Sequence, residues 1–156
     1  MLALITGASS GFGYHIAKKL VESGYNVIGV ARRIDNLNQL HAELGQSFYP
    51  LAFDLTDSAE KLKAALTAVP QAFDISHIDL LINNAGLALG LESADKADLE
   101  DWYSMVDTNI KRLISITHLV LPYMVDKKSG LIINIGSIAG SYPYPGGNVY
   151  GATKAF

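Results

Sequence analysis

The sequence predicts a doubly wound α/β fold, in which helices cover both faces of a parallel β-sheet. Short apolar runs that fit buried strands alternate with longer segments of helical periodicity, and this alternation is typical of βαβ units. Polar clusters follow the predicted strands, at the ends where sheets of this class bind ligands. No linker, repeat or low-complexity segment divides the chain, so residues 1–156 are expected to form one domain.

Each later element has its own local signal. Strands after the first are predicted at Tyr25–Ala31, Ser47–Phe53, Asp79–Ile82 and Leu131–Ile135. Helices are predicted at Asn36–Leu44, from Ser58 to about Phe73, and at about Leu99–Val125. Asp35 is expected to cap the second helix, while Gly24 and Gly45 end the first two. A further helix starts after a loop at 140–147.

Composition and charge exclude several classes of protein. The chain is 49% hydrophobic, and its net charge of −3 argues against a nucleic-acid surface, which needs a clustered basic face. The absence of cysteine excludes disulfides and zinc–thiolate sites, and the four histidines show no metal-ligand spacing. No apolar run approaches the ~18 residues of a membrane span. We therefore expect a cytoplasmic protein without a metal, whose partners are neither nucleic acid nor membrane.

A glycine-rich turn joins the first strand to the first helix. Gly7, Gly11 and Gly13 let a ligand approach the backbone, and the free N–H groups at the helix start favour a phosphate. The spacing Gly-x-x-x-Gly-x-Gly differs from the commoner fingerprint Gly-x-Gly-x-x-Gly, so two interpretations stay open: a nucleotide site, or a tight turn with close helix packing. The predicted apolar face of this helix consists of Phe12, Ile16, Ala17 and Leu20.

Two arginines follow the second strand. Arg32 stands 19 positions after Gly13, which places Arg32 and Arg33 where a dinucleotide fold meets the adenosine ribose. An acidic residue there would select NAD, whereas guanidinium groups hold a 2′-phosphate and indicate NADP. Cations just before a helix N-terminus are repelled by the positive end of the helix dipole, so they do not stabilise the helix. We therefore favour binding of a 2′-phosphate over a solvated pair of charges. Ser9 and Ser10 can donate further hydrogen bonds to phosphate or ribose.

Tyr150 and Lys154 place a phenol and an ammonium group one turn apart on the same face of the last helix. A tyrosine hydroxyl ordinarily has a pKa of about 10, and a nearby cation in a partly dry pocket favours the phenolate. An oxidised nicotinamide ring is also cationic and acts in the same direction. Such a pair suits proton transfer near neutral pH; the alternative is a pair on a helix surface.

These motifs together resemble the short-chain dehydrogenase/reductase family, and the resemblance covers all 156 residues. The stretch Thr6–Gly13 is similar to the family's cofactor turn, and Asn83-Asn84-Ala85-Gly86 is similar to the motif that braces its sheet. The family's catalytic tetrad is matched in order and spacing by Asn109, Ser137, Tyr150 and Lys154. The resemblance implies a Rossmann fold with strand order 3-2-1-4-5 and a homotetramer.

The resemblance also implies a role for each matching residue. Tyr150 would exchange a proton with the substrate oxygen while the nicotinamide exchanges hydride with the same carbon, and Ser137 would hydrogen-bond that oxygen. Lys154 would hold the nicotinamide ribose and favour the phenolate, and Asn109 would anchor a water in the proton relay. The implied cofactor-binding residues are Gly7, Ser9, Ser10, Gly11, Phe12, Gly13, Arg32, Arg33, Asp54, Leu55, Asn83, Ala85, Gly86, Tyr150 and Lys154.

Within that set, Asp54 and Leu55 would meet the adenine, and Asn83 would lie near the nicotinamide side. The chain is similar to bacterial NADP-dependent 3-hydroxy acid dehydrogenases, which oxidise L-serine or L-allo-threonine and reduce malonic semialdehyde. This resemblance implies NADP (NADPH) as cofactor and a small 3-hydroxy acid as substrate. The residues that would line the substrate pocket are Tyr142, Pro143, Tyr144, Pro145, Gly146 and Asn148.

Family members are longer than this chain. We therefore expect residues 1–156 to be the dinucleotide-binding domain of a C-terminally incomplete protein, with the C-terminal strands missing. Leu131–Ile135 would then form an open apolar sheet edge. A truncated nucleotide-binding or oligomerising fragment without turnover is the alternative hypothesis.

Overall fold

Five parallel strands form the sheet around which the protein is built. The computed structural model describes residues 1–54 and 57–156. The strands in these ranges are β1 (Leu2–Thr6), β2 (Asn26–Ala31), β3 (Phe48–Ala52), β4 (Ile78–Asn83) and β5 (Leu131–Asn134). Their order is β3-β2-β1-β4-β5, and each neighbouring pair is parallel. The predicted doubly wound sheet and its strand order are confirmed.

Helices connect these strands. In the described part of the chain they are α1 (Gly11–Glu22), α2 (Ile34–Leu44), α3 (Ala59–Thr67), α4 (Leu99–Val106), α5 (Arg112–Lys127) and α6 (Asn148–Ala155). A π-helical segment, Asp107–Lys111, joins α4 to α5. The long helix predicted for this region is therefore one helical run with a wider turn in its middle. Short 3₁₀ turns lie at Gly45–Ser47, Gln71–Phe73, Ile75–His77 and Ile138–Gly140.

The predicted end of the third helix is wrong. α3 starts as expected, because the Ser58 hydroxyl accepts a hydrogen bond from the Lys61 N–H and caps the helix. It ends at Thr67, however, and the chain then forms only a 3₁₀ turn at Gln71–Phe73. Pro70 explains the break, since proline lacks the N–H that a continuing helix needs.

The predicted start of the second helix is also wrong. α2 begins at Ile34 rather than Asn36, and Arg33 occupies the cap position with an extended backbone. Asp35 therefore lies in the first turn instead of at the cap, where its carboxylate still faces the positive end of the helix dipole. The helix ends at Leu44, and the next residue, Gly45, has a φ of +65°, a conformation that glycine adopts readily.

Two apolar layers hold the helices against the sheet, because alternate strand residues point to opposite faces. The layer beneath α1 and α2 includes Ala3, Ile5, Ala17, Val27, Leu37 and Leu40. The layer beneath α3 and α5 includes Leu4, Ile28, Leu62, Leu66, Ile116 and Val120. With both faces covered, the central strands contain apolar residues at nearly every position.

Phe12 does not belong to the buried face of α1, contrary to the prediction. Its side chain is 75% exposed, whereas Ala17 is buried and Ile16 and Leu20 pack against the core. The reason lies in the first turn of α1, where Gly13 packs directly against the backbone of Gly7. This turn therefore sits over the glycine-rich loop instead of over the strands.

β5 lies at one edge of the sheet and is its most exposed strand. Leu131 is 57% exposed and Ile133 is 38% exposed, so the edge carries apolar side chains, as expected from the sequence. Among the helices that the structure describes, none combines the length and the apolarity needed to cross a membrane.

The amino ends of the strands are held by a charged group on α5. Lys127 Nζ lies 2.6 Å from Asp79 Oδ1 and also donates to the Ile78 carbonyl, while Asp79 Oδ2 accepts from the Leu2 N–H at 2.9 Å. Burial raises the pKa of the Asp79 carboxyl, but the hydrogen bonds from Lys127 and Leu2 outweigh it and hold the pKa below its usual value.

Asp79→Asn is therefore expected to destabilise the protein by about 1 kcal/mol near neutral pH, measured by urea unfolding. A carboxyl group with a depressed folded-state pKa stabilises the fold above its unfolded pKa of about 4. This stabilisation is lost as the pH falls through the lower folded-state pKa, so the difference between Asp79→Asn and wild type should shrink there. Asp126→Asn, which changes an exposed carboxylate on α5, is the control. A pH-independent difference would contradict the assignment.

Candidate functional site

A cleft of about 470 Å³ opens at the carboxyl ends of the strands. It lies beside β1 and β4, the neighbours at which the strand order reverses, and this is where doubly wound sheets bind ligands. The predicted site residues that line it are Gly7, Ser9, Ser10, Gly11, Phe12, Arg32, Arg33, Asp54, Ala85, Gly86, Tyr150 and Lys154. The structure thus brings together residues from segments that are far apart in the sequence.

The glycine-rich turn is tightly packed on one side and open on the other. Gly7 has a φ of +70°, and a Cβ at Gly13 would lie 2.3 Å from the Gly7 carbonyl oxygen. A Cβ at Gly11 would meet nothing within 4 Å, although its φ of +56° also favours glycine. Gly13 therefore supports the turn from below and does not line the cleft, while Gly11 faces open space at the start of α1.

A hydrogen-bonded brace connects the turn after β1 to the turn after β4. The buried Thr6 hydroxyl accepts hydrogen bonds from the N–H groups of Asn84 at 3.1 Å and Ala85 at 2.9 Å. The Asn84 amide in turn donates to the carbonyls of Thr6 at 2.9 Å and Gly7 at 3.2 Å. These four bonds fix the two loops relative to each other, so the floor of the cleft is rigid.

Arg33 lies over the serines of the glycine-rich turn. Its Nη2 donates to Ser10 Oγ at 2.9 Å and more weakly to Ser9 Oγ at 3.3 Å. Asn36, in the first turns of α2, donates its amide to the Ser9 carbonyl at 3.2 Å. Arg32 also lines the cleft and is exposed. The two arginines and two serines thus form a cluster of hydrogen-bond donors at one end of the cleft.

Tyr150 and Lys154 form the opposite end. Both side chains are half-buried on α6 and line the cleft. Lys154 Nζ donates to the Ile135 carbonyl at 3.0 Å, at the end of β5. A Cβ at Gly86 would lie 3.1 Å from Lys154 Nζ, so the absence of a side chain at Gly86 leaves room for the ammonium group.

Two residues of the predicted tetrad lie outside the cleft lining. Asn109 is 5% exposed and sits in the π-helical segment, where its amide bonds both backbone groups of Leu87 and the Thr153 hydroxyl. Ser137 is half-buried, and its Oγ accepts a hydrogen bond from the Ala139 N–H at 3.2 Å, capping a 3₁₀ turn. Asn109 therefore braces the wall of the cleft, whereas Ser137 lies just after β5.

Asn83 lies away from the cleft as well. Its buried amide donates to Asn134 Oδ1 at 2.8 Å and to Thr117 Oγ1 at 3.0 Å, which joins β4 to β5 and α5. Leu55, predicted to meet the adenine, falls outside the described residues. Its neighbour Asp54 does line the cleft.

Some lining residues were missed because their types carry no signal of their own. Leu87 follows the motif Asn83-Asn84-Ala85-Gly86, and Thr108 directly precedes Asn109. Asn84 was named as part of that motif, but not as a cofactor-binding residue, and it lines the cleft. The remaining ones are Ala31, Phe53, Ala88, Ile135 and Gly136, each next to the end of a strand or to a predicted motif. Proximity to a strand end is the sequence feature that could have identified most of these lining residues.

The two ends of the cleft suit different chemistry. The start of α1 with Arg33 and the serines can hold an extended polyanion, because backbone N–H groups and a guanidinium group favour phosphate oxygens. The opposite end offers a phenol and an ammonium group, which can transfer a proton and bind hydroxyl groups. In the ranges 1–54 and 57–156, His, Asp and Glu form no group of three that could hold a metal ion.

Comparison with known proteins agrees with this arrangement. The family model described as short chain dehydrogenase matches residues 1–156. A probable NADP-dependent dehydrogenase of Haemophilus influenzae is 59% identical over 154 residues, which are 99% of this chain and 60% of that protein. Serine 3-dehydrogenase of Rhizobium radiobacter is 52% identical over 153 residues, which are 98% of this chain and 60% of that protein.

A solved structure has the same architecture. The closed form of a serine dehydrogenase complexed with NADP⁺ superimposes with a TM-score of 0.95 at 49% identity, covering 100% of this chain and 62% of that one. The chain thus spans about 60% of the length of the curated relatives it matches. A family match over its whole length, together with this cleft, shows that the chain belongs to the short chain dehydrogenase family.

Proposed function

We propose that the protein is an NADP-dependent oxidoreductase that interconverts a small 3-hydroxy acid, or a related alcohol, and its carbonyl form. One observation carries the proposal: a single cleft has a polyanion-binding turn with Arg33 at one end and Tyr150 with Lys154 at the other. Residues 1–156 supply the dinucleotide-binding domain. The names of the two curated relatives point to NADP and to serine, and serine is itself a 3-hydroxy acid.

The residues present fit NADP. Gly11 keeps the start of α1 free of a side chain that would hold a pyrophosphate away from the backbone, while the absence of a Cβ at Gly7 lets the turn pack against Ala85. Arg32 and Arg33 stand at the edge of the same cleft, where a 2′-phosphate would find guanidinium donors. Asp54 would lie beside the adenine. When bound, NADP supplies a ring carbon that gives or takes hydride.

The side chains at the other end handle the proton and the substrate oxygen. We assign proton transfer to the Tyr150 hydroxyl, and we assign the binding of the ribose hydroxyls to the Lys154 ammonium group, which lines the same cleft. Ser137 uses its oxygen to accept from Ala139, so its hydroxyl hydrogen remains available to a substrate oxygen. The side chain of Asn109 is engaged with Leu87 and Thr153, so we assign it to holding the cleft wall.

We further propose that the protein works in the cytoplasm as a homotetramer. Several apolar side chains on α4 and α5 face away from the core, which supports an interface between copies. They are Tyr103 at 55%, Ile114 at 47%, Leu121 at 43% and Val125 at 62% exposed. Light scattering on the purified protein measures the number of chains.

The direct test is turnover. The purified protein is mixed with NADPH and malonic semialdehyde, and in the reverse direction with NADP⁺ and L-serine, while the nicotinamide absorbance is followed. Consumption of NADPH by the aldehyde supports the oxidoreductase. Saturable NADPH binding without turnover in either direction would instead support a nucleotide-binding or oligomerising fragment.

Arg33→Ser is expected to weaken NADPH binding by about 10- to 100-fold, because it removes charge-assisted hydrogen bonds of roughly 1.5–3 kcal/mol to the 2′-phosphate. NADH lacks this phosphate, so its dissociation constant should change little. Fluorescence titration with both cofactors measures the effect. Lys63→Ser removes an exposed positive charge on α3 and controls for net charge. An equal loss of affinity for NADH and NADPH would rule out the 2′-phosphate contact.

A further inference from the structure

We propose that Thr153 is a positioning residue that sets the place of Tyr150 and Lys154 in the cleft; this inference rests on the proposed function. Thr153 is 4% exposed, and among residues 148–155, all of which the structure describes, it is the only buried one. The single side chain that α6 buries is thus polar. A buried hydroxyl must find hydrogen-bond partners, and these partners determine where the helix lies.

The Thr153 hydroxyl is used twice. It accepts a hydrogen bond from Asn109 Nδ2 at 2.9 Å and donates one to the Tyr150 carbonyl at 2.8 Å. The second bond is local, within one turn of the helix, and many threonines make it. The first joins residues 44 positions apart and crosses from the π-helical segment to α6. Among the hydrogen bonds that join α6 to distant segments, it is the one made by a buried side chain of this helix.

The other hydrogen bonds of the Asn109 amide hold it in the orientation that points to Thr153. Its Oδ1 accepts from the Leu87 N–H at 2.9 Å, which fixes the orientation of the amide. One Nδ2 hydrogen then meets the Leu87 carbonyl at 2.9 Å, and the other points to Thr153. A continuous set of hydrogen bonds therefore runs from the cleft wall at Leu87, through Asn109 and Thr153, to the backbone of Tyr150.

α6 depends on such an anchor. It has eight residues, fewer than an isolated helix needs in water, and its N-terminal cap residue, Gly147, has no side chain to cap it. Two half-buried side chains of α6 add further hydrogen bonds: Lys154 donates to the Ile135 carbonyl at 3.0 Å, and Asn148 donates to the Glu92 carbonyl at 2.9 Å. Loss of the Thr153 contact would thus let the helix shift, and a displacement of about 1 Å at reacting groups can cost about 10²-fold in rate.

The test compares Thr153→Val with Thr153→Ser. Valine keeps the shape but removes both hydrogen bonds and leaves an Asn109 N–H without its partner, whereas serine keeps the hydroxyl. We expect Thr153→Val to lower kcat for NADP⁺-dependent oxidation of L-serine by about 10- to 100-fold. The NADPH dissociation constant should rise by no more than about fivefold, because a shift of α6 disturbs the ribose contact of Lys154 but leaves Arg33 and the glycine-rich turn in place. Thr153→Ser should restore kcat to within about threefold of wild type.

NADPH binding stoichiometry counts the folded sites, so kcat is expressed per folded site. If Thr153→Val does not fold, Thr153→Ala, which is smaller than the native residue, is measured in its place with the same expectation. A merely structural role would lower the melting temperature while leaving kcat per folded site unchanged, and that result overturns the inference. Failure of Thr153→Ser to restore kcat also overturns it. Absence of turnover in the wild type would overturn the proposed function itself, and this inference with it.

Discussion

Tyr150→Phe is expected to lower kcat by about 10³-fold while NADPH binds nearly as it does to the wild type. A positioned general acid or base contributes roughly 10²- to 10⁴-fold, and phenylalanine keeps the ring but removes the hydroxyl to which we assign proton transfer. Tyr150 lines the cleft on the side of β5, away from the glycine-rich turn and Arg33, so cofactor affinity should be preserved. Steady-state kinetics with L-serine and NADP⁺, together with a fluorescence titration of NADPH, separate the two effects.

Tyr25→Phe is the matched control for this change. Tyr25 precedes β2 at the amino end of the sheet and packs against the apolar layer beneath α1 and α2. Removing its hydroxyl alters a phenol remote from the cleft, so kcat should remain at the wild-type value. Retention of most activity by Tyr150→Phe would mean that another group, or a bound water, moves the proton.

Much of the fold follows from local patterns. Strands of the sheet are apolar on both faces because helices cover both, and such runs stand out in the sequence. The predictions from the sequence are wrong where tertiary contacts decide which side chains are buried. Helical periodicity assigned Phe12 to the buried face, but periodicity does not say how far the sheet extends beneath a helix. Phe12 instead lines the cleft, because the first turn of α1 packs on the glycine-rich loop.

The sequence predicts which positions lie at the candidate site, but it does not predict which side chains contact one another there. A strand end locates Arg33, since parallel strands place their carboxyl ends at one edge, whereas Tyr150 is found by its spacing of one helical turn from Lys154. Position at a strand end does not predict the direction of a side chain. Asn83 is adjacent to Asn84, yet only Asn84 lines the cleft. Thr153 could not be found at all, because its significance comes from Asn109, a residue distant in the sequence.

Gly13→Ala is expected to reduce NADPH affinity by more than about tenfold and to destabilise the fold by about 1–3 kcal/mol. The new Cβ would lie 2.3 Å from the Gly7 carbonyl oxygen and 2.6 Å from Asn84 Nδ2. The first contact is with backbone and cannot be relieved by rotating a side chain. The turn must therefore open, which pulls Gly7 away from the brace formed by Thr6 and Asn84. Urea unfolding and NADPH titration measure the two effects.

Gly24→Ala separates this clash from the general effect of replacing glycine. A Cβ at Gly24 meets nothing within 4 Å, so alanine there is opposed only by the φ of +85°. That variant should lose roughly 1–2 kcal/mol of stability and keep its NADPH affinity, because Gly24 follows the C-terminal end of α1 and the cleft lies at its start. If Gly13→Ala bound NADPH as tightly as Gly24→Ala, the packing of α1 against the glycine-rich turn would not be what shapes the phosphate site. The dissociation constants of these two variants thus test whether the close contact between Gly13 and Gly7 is a requirement of binding or only of folding.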